Sequence, residues 1–128
     1  IILFRAHYFI TNIDLKTFPN VIDVTHYDEL DELMEISDVL ITDYSSLAFD
    51  FSILEKPIYS FAYDLKDYAK YQGLYIDIQQ ELPNCIENED DLIKAIFRMK
   101  LSEEKDKTRK FREKNMKNRY KKKPQKIN

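Results

Sequence analysis

Two short apolar segments, joined through a polar turn and a helical stretch, constrain the fold of this chain most strongly. Residues 39–41 are predicted to form a buried strand, residues 45–54 a helix, and residues 58–61 a second buried strand. Residues 42–46, Thr-Asp-Tyr-Ser-Ser, stand between the first strand and the helix. This order places a carboxylate and two hydroxyls at the carboxyl end of a strand, the edge at which open α/β sheets bind ligands.

The rest of the chain continues the alternation of strands and helices. Further strands are predicted at residues 1–4, 21–24 and 75–78, and further helices at residues 30–36, 64–71 and 90–99 and from residue 102 onward. This alternation predicts parallel βαβ units, and therefore an α/β fold in which helices flank a Rossmann-like parallel sheet. A length of 128 residues suffices for one domain with a core but not for two.

Charge divides the chain into an acidic body and a basic end. Residues 1–99 contain 7 Lys+Arg and 19 Asp+Glu, whereas residues 100–128 contain 13 Lys+Arg and 4 Asp+Glu. A basic end of this kind is typical of contact with an anionic surface, and the alternative is a solvated helix whose charge balances the acidic body. The aromatic residues lack the basic interleaving of an RNA-binding surface, so no nucleic-acid partner is predicted.

Polar residues at the predicted strand-to-helix junction are the first candidates for a site. The hydroxyls of Ser45 and Ser46, with the backbone amides of a helix N-terminus, are suited to hold a phosphate, while Asp43 stands beside them. The alternative is ordinary N-capping by Asp and Ser. Asp50 lies one helical turn beyond Ser46, so it is predicted either to accept hydrogen bonds from ligand hydroxyls on the same face or to be a solvated helix residue.

Arg5 and His7 follow the first predicted strand and are the second group of candidates. Two residues apart, their side chains are expected to project to the same side. Arginine suits bidentate phosphate contacts, and histidine can act as an acid, a base or a cation near neutral pH. The alternative for a lone histidine is a hydrogen-bonded structural role.

Several kinds of site are disfavoured by the residues that the chain lacks, among them a divalent-metal site at Asp43 and Asp50. Asp43 and Asp50 have no third acidic ligand nearby for Mg²⁺, and no cysteine or histidine cluster suits Zn²⁺. No glycine-rich loop with a phosphate-binding lysine is present, and Cys85 has no evident base beside it. The prediction is therefore a site without a metal, a resident cofactor or a catalytic thiol.

Three motifs together resemble a known family. The run ISDVLITDYSSLAFDFSILEKPIYSFAYDLKDY, residues 36–68, is similar to the C-terminal domain of the CDP-glycerol glycerophosphotransferases, which include the teichoic acid polymerases and primases. Arg5-Ala6-His7 resembles the R-x-H motif of that family. Residues 73–77, GLYID, followed by residues 81–83, ELP, resemble its G-F-Y-x-D and E-L-P segment.

The resemblance implies the C-terminal, donor-binding half of a GT-B architecture. The implied reaction transfers glycerol phosphate from CDP-glycerol, or a ribitol analogue, to a hydroxyl of a lipid-linked or capsule-type acceptor and releases CMP. It implies a catalytic role for His7 and a donor pocket that includes the remaining candidates, Arg5, Asp43, Ser45, Ser46 and Asp50.

The predicted domain organisation is a nucleotide-binding domain at residues 1–99 and a basic helix and tail at residues 100–128. Because the chain opens on a strand without an initiator Met, it is expected to be a fragment that lacks the N-terminal domain of the family and is inactive alone. One cysteine, no apolar run of about 18–20 residues and no visible signal peptide favour a cytoplasmic protein. With the basic end and a lipid-linked acceptor, a peripheral position on the inner face of the membrane is expected.

The chain departs from the family pattern at two places, and two other functions stay open. Gln72 stands where the family has Arg, and Asn84-Cys85 replaces the Gly-Pro that follows E-L-P. The alternatives are a GT-B glycosyltransferase domain that uses another nucleotide sugar and a non-catalytic α/β interaction domain.

Overall fold

The computed structural model describes residues 1–6, 15–43, 47–61 and 82–122, the last six of these through their backbone alone. Within these ranges the chain forms two compact units, Ile1–Leu33 and Met34–Asn128. The helix predicted at residues 64–71 and the strand predicted at residues 75–78 lie outside the described residues.

The first unit is built on two parallel strands. β1 (Ile2–Phe4) pairs with β2 (Val21–Asp23), with Ile2 opposite Val21. Val24 extends the pairing through a 2.8 Å hydrogen bond from its N–H to the carbonyl of Phe4. Helix α1 (Leu30–Ile36) begins in this unit and ends in the second.

The second unit contains a parallel sheet of three strands in chain order. The strands are β3 (Leu40–Thr42), β4 (Ile58–Phe61) and β5 (Cys85–Ile86), and the helices are α2 (Leu47–Ser52), α3 (Glu89–Phe97) and α4 (Leu101–Lys122). In register, Thr42 lies opposite Ser60, and Ser60 lies opposite Cys85. Because all three strands are parallel, their carboxyl ends lie at one edge.

Helices cover both faces of this sheet. Ile58 joins a buried core with Ala48 and Phe51 of α2 and Phe111 of α4, so α2 and α4 lie on its face. Tyr59 points to the opposite face because side chains alternate along a strand, and its hydroxyl donates to the carbonyl of Ala95 in α3 at 3.5 Å. Parallel strands with helices on both sides confirm the predicted Rossmann-like α/β fold class.

Helix α4 is fixed to the sheet by buried polar side chains as well as by Phe111. Thr108, fully buried, donates from Oγ1 to the carbonyl of Lys56 at 2.8 Å. Glu104, also buried, accepts a 2.6 Å hydrogen bond from Nδ2 of Asn84, which also donates to the carbonyl of Ile58 at 2.9 Å. Glu104 therefore links the helix to the turn that precedes β5.

The structure places two predicted helix starts slightly earlier than the sequence did. The helix predicted at residues 90–99 runs over Glu89–Phe97, with Asn88 as its N-cap accepting from the N–H of Asp91 at 2.9 Å. The basic helix begins at Leu101. The division into residues 1–99 and 100–128 stays a prediction, while Phe111 of α4 packs in the same core as α2. Over the ranges that the structure describes, no helix is long and apolar enough to cross a bilayer.

Candidate functional site

The carboxyl edge of the three-stranded sheet is the candidate site in the second unit. Asp43 follows the last residue of β3 directly and is exposed. At the same edge, Glu87 follows β5 and is also exposed. The two strands are separated by β4, and carboxylates at the ends of parallel strands are positioned to accept hydrogen bonds from a ligand that lies across that edge.

A row of small polar side chains lies immediately below this edge. Thr42, Ser60 and Cys85 are aligned across β3, β4 and β5. The Ser60 side chain is buried, and among the residues that the structure describes its Oγ has no hydrogen-bond partner. Burial, followed by the nearby charge of Glu87, raises the pKa of the Cys85 thiol above its ordinary value of 9.0. A raised pKa lowers the fraction of thiolate, which is the nucleophilic form. That Cys85 is not a catalytic thiol stays a prediction.

Asp50 lies on the solvent side of α2. Ala48 and Phe51 of the same helix are fully buried, so the apolar neighbours of Asp50 in the sequence turn inward while its carboxylate stays exposed. Asp50 is thus available to a ligand. Because its carboxylate is exposed to water, it does not require a hydrogen-bond partner within the protein. Its predicted partner on the same face, Ser46, lies outside the described residues, as do Ser45 and His7.

Arg5, the candidate in the first unit, organises the turn that follows β2. Its Nη1 donates to the carbonyl of Tyr27 at 2.9 Å and to that of Val24 at 3.2 Å. The residue is exposed, and its other terminal nitrogen, Nη2, has no hydrogen bond among the described residues. Arg5 therefore combines a structural role with a guanidinium edge that can still meet an anion.

The same turn is closed by further hydrogen bonds at the surface. Thr25 donates to Oδ1 of Asp23 from its N–H at 2.9 Å and from its hydroxyl at 2.5 Å, and its Oγ1 accepts from the N–H of Ala6 at 3.0 Å. The hydroxyl bond first, and the amide bond second, lower the pKa of Asp23 below its ordinary value of 3.8. These contacts hold the carboxyl ends of β1 and β2 together.

The described residues form no cluster of three or more His, Cys, Asp or Glu side chains that could hold a metal ion.

Sequence reasoning missed the residues whose importance comes from packing. Ser60 and Glu104 are buried by contacts between distant parts of the chain, so no local pattern identifies them. For Asn84 the sequence did indicate an unusual backbone conformation, because this residue stands where the family that the chain resembles has glycine. Its φ of 47° lies in the left-handed region that glycine favours and that asparagine tolerates best among other residues.

Comparison with known proteins agrees with the motifs. The model of the family described as CDP-Glycerol:Poly(glycerophosphate) glycerophosphotransferase matches residues 1–128. The chain therefore belongs to this family, and the predicted resemblance is confirmed.

Individual relatives include enzymes named for glycerol phosphate and enzymes named for ribitol phosphate. The chain is 47% identical over 92 residues to the teichoic acid poly(glycerol phosphate) polymerase of Staphylococcus epidermidis, covering 70% of the chain and 13% of that protein. It is 34% identical over 101 residues to the teichoic acid poly(ribitol-phosphate) polymerase of Bacillus spizizenii, covering 77% of the chain and 16% of that protein. The chain thus spans less than a fifth of either relative.

Solved structures of the wall teichoic acid polymerase TagF share the fold. One matches with a TM-score of 0.73 and 38% sequence identity, covering 88% of this chain and 28% of that chain. A variant of TagF soaked with CDPG matches with a TM-score of 0.72, covering 88% of this chain and 29% of that chain. The chain is therefore similar to less than a third of each of these solved chains.

Proposed function

We propose that this chain supplies the donor-binding part of an enzyme that transfers glycerol phosphate from CDP-glycerol to an acceptor hydroxyl. The observation that supports this most directly is its similarity to TagF, including the variant soaked with CDPG. The exposed carboxylate of Asp43 also supports it, because it lies at the carboxyl edge of the parallel sheet, where this class of fold binds ligands.

The proposed reaction is a displacement at phosphorus. The acceptor oxygen forms a bond to the phosphorus of the glycerol phosphate group, the bond from that phosphorus to the bridging oxygen of CMP breaks, and the hydroxyl proton passes to a base. The acceptor is a hydroxyl of a teichoic acid or capsule-type polymer. Catalysis of such a step depends mainly on positioning and on stabilising charge at the phosphoryl oxygens.

The proposed residue roles are those that the family resemblance implies. His7 acts on the donor phosphates or assists the chemistry, and Arg5 contributes a guanidinium suited to a phosphate. Ser45 and Ser46 contact the diphosphate, and the carboxylates of Asp43 and Asp50 accept hydrogen bonds from donor hydroxyls. No metal or resident cofactor is part of the proposal.

Calorimetric titration with CDP-glycerol, CDP-ribitol, CMP, UDP and GDP in the presence of EDTA tests this donor assignment. Selective binding of the cytidine ligands is expected, and the two CDP-polyols together identify the preferred polyol. His7→Ala and Ser46→Ala should weaken binding, whereas the matched variants His26→Ala and Ser102→Ala, at exposed positions, should not. Preference for UDP or GDP would favour another nucleotide-sugar transferase.

Absence of binding by the folded chain calls for the same titration on the full-length enzyme. Binding there would show that other parts of the enzyme are needed to complete the pocket. If the full-length enzyme also binds no nucleotide, the donor assignment is wrong and an interaction domain becomes the better explanation.

We further propose that the basic end holds the enzyme at the cytoplasmic face of the membrane, near a lipid-linked acceptor. Three cations of α4 are paired, Lys107 with Glu104 at 3.1 Å, Arg109 with Asp106 at 2.6 Å and Arg112 with Glu55 at 2.7 Å. Residues 114–128 contain seven Lys+Arg and no acidic residue. Lysines near an anionic surface contribute about 1 kcal/mol each. A chain ending at Met116 should therefore bind anionic vesicles more weakly than the intact chain.

A further inference from the structure

Helix α3 leaves two apolar side chains in water on the side that is turned away from the sheet. Leu92 is buried, and the carbonyl of Ala95 accepts from the hydroxyl of Tyr59, so these positions mark the side that packs on the sheet. Ile93 and Phe97, one turn apart, are 44% and 86% exposed. A phenyl ring that is so exposed gains free energy from an apolar contact that covers it.

The charges beside this apolar pair change sign along the helix. Glu89, Asp90 and Asp91 occupy the first turn, Lys94 and Arg98 follow towards the carboxyl end, and all five residues are exposed. Within the described ranges, no ion pair engages any of them. The order agrees with the helix dipole, which favours acids at the amino end and bases at the carboxyl end. It also makes this side of α3 complementary to the same side of an identical helix that runs in the opposite direction.

We propose that α3 of one chain packs against α3 of a second copy, antiparallel and about a two-fold axis near residue 95. Under this symmetry each contact occurs twice, and Ile93 of one copy lies at the level of Phe97 of the other. Asp90 then lies about 3 Å along the helix axis from the level of Arg98 in the other copy, at a rise of about 1.5 Å per residue. A parallel pair would instead place acid beside acid and base beside base. The apolar pair and the order of charges therefore specify the same arrangement.

A second copy fits this surface better than a partner of uniform charge. An acidic partner would be repelled by the first turn of α3, and a basic partner would be repelled by Lys94 and Arg98. Lys94 alone opposes the pairing of two copies, because near the axis it approaches its own counterpart. The surface is one helix of nine residues, so the dimer is weak and reversible rather than obligate.

Self-association through α3 goes beyond the proposed donor binding and does not depend on it. No residue of this surface is among those proposed to contact the donor. Calorimetric titration with CDP-glycerol should therefore give the same result for the intact chain and for variants of this surface. Failure of the dimer and failure of the donor assignment are thus separate observations.

Sedimentation velocity of the full chain, at a series of concentrations up to about 1 mM, tests the proposal. The chain should pass reversibly from monomer to dimer as its concentration rises. Ile93→Ser/Phe97→Ser should raise the dissociation constant at least about tenfold, because both copies lose their apolar contacts. Ile36→Ser/Ile53→Ser removes two isoleucines that are 69% and 68% exposed elsewhere, and this matched control should leave the dissociation constant unchanged.

Two charge reversals test the antiparallel two-fold arrangement itself. Asp90→Lys and Arg98→Glu, each alone, should weaken the dimer about fivefold, because each brings like charges together twice. An equimolar mixture of these two variants should recover the affinity of the unmodified chain, since each then meets the opposite charge on the other. Lys94→Gln should strengthen the dimer, and added salt should reduce all of these differences. Lys110→Glu, at an exposed position of α4, is the control and should have no effect.

Four results would overturn the proposal. They are a chain that stays monomeric up to about 1 mM, a dimer that Ile93→Ser/Phe97→Ser does not weaken, an equal loss in the control pair, and a mixture of the charge-reversed variants that is no tighter than either alone. The full-length enzyme should lose self-association with the same double serine variant. If that variant instead lowers the free energy of unfolding of a monomeric full-length enzyme, another part of the enzyme covers this side of α3 and the proposal is wrong.

Discussion

The two units satisfy their polar side chains in opposite ways. In the first, Arg5 donates to the carbonyl of Val24, and Thr25 donates to the carboxylate of Asp23. These hydrogen bonds lie near the surface, where water can replace a lost contact. In the second, Glu104 and Thr108 are bonded in the interior, where water cannot. Similar hydrogen bonds should therefore differ in their contribution to stability, because an unsatisfied buried group retains its full desolvation penalty.

The largest effect is expected from the apolar contact that joins α4 to α2. Phe111 is buried, and its ring lies 5.1 Å from that of Phe49 between the ring centroids. Phe111→Ala should lower the free energy of unfolding by about 3–5 kcal/mol, measured by urea denaturation. Phe97→Ala, at a position 86% exposed, is the control and should change it by less than about 0.5 kcal/mol. Equal effects would show that α4 is not part of the core.

A smaller but substantial loss is expected from the buried carboxylate. Glu104→Ala leaves Nδ2 of Asn84 without this acceptor and should cost about 1–3 kcal/mol. Glu104→Gln keeps a side chain of the same length with an acceptor oxygen, so it should lower the free energy of unfolding by less. The exposed Glu103→Ala should leave it nearly unchanged. If the alanine and glutamine variants are equally stable, the bond to Asn84 does not fix α4.

Ser60 provides a test with the opposite sign. Its hydroxyl is buried and has no partner within the described ranges of the chain, so Ser60→Ala should leave the free energy of unfolding unchanged or raise it by up to about 1 kcal/mol. Ser52 is equally buried but donates to the carbonyl of Phe49 at 2.6 Å, so Ser52→Ala should instead lower it. A clear loss in Ser60→Ala would reveal a hydrogen bond that the hydroxyl makes in solution.

The smallest effect is expected at the surface of the first unit, and it depends on pH. The pKa of Asp23 is lowered in the folded state, so its contribution to stability is present above the unfolded value of 3.8 and is lost as pH falls through the lower folded value. Thr25→Val removes the hydroxyl bond and should raise the pKa of Asp23 part of the way back, as measured by NMR titration. Thr17→Val, exposed in the same unit, should leave it unchanged.

The sequence predicted two of the three described strands of the second unit, β3 and β4, because each is a short apolar run; it did not predict β5. The strand predicted at residues 58–61 is observed as Ile58–Phe61, and the strand predicted at residues 39–41 is observed one position later as Leu40–Thr42. Continuous apolar runs of this length are typical of strands buried on both faces, which holds for most of β4, whereas Ile41 of β3 is 49% exposed. The same alternation with helices was sufficient to predict the fold class.

The end of α2 was not predictable from local pattern. Helical spacing favoured a helix through residue 54, but α2 ends at Ser52 and Glu55 adopts a φ of 55°, a conformation that glutamate rarely takes. The carboxylate of Glu55 accepts a 2.7 Å hydrogen bond from Nη2 of Arg112, 57 positions away. A contact of that separation stabilises the turn and cannot be seen in a sequence window.

Of the candidate site, the sequence predicted where Asp43 lies but not the contacts around Arg5. Asp43 lies at the carboxyl edge as expected, because it follows an apolar strand directly. The bonds from Arg5 to Val24 and Tyr27 were missed, since they require the parallel pairing of β1 with β2. The proposed contacts of His7, Ser45 and Ser46 stay predictions.

The contacts of α4 also bear on the order in which the second unit can form during synthesis. The bond from Thr108 to Lys56 joins residues 52 positions apart, and Phe111 completes a core that otherwise consists of residues from α2 and β4. A growing chain therefore exposes the apolar side of α2 until this late helix has been made. Closing such distant contacts is slow compared with forming a helix, and exposed apolar surface favours aggregation in the interval. The second unit can therefore bury these apolar side chains only after residue 111 has been translated.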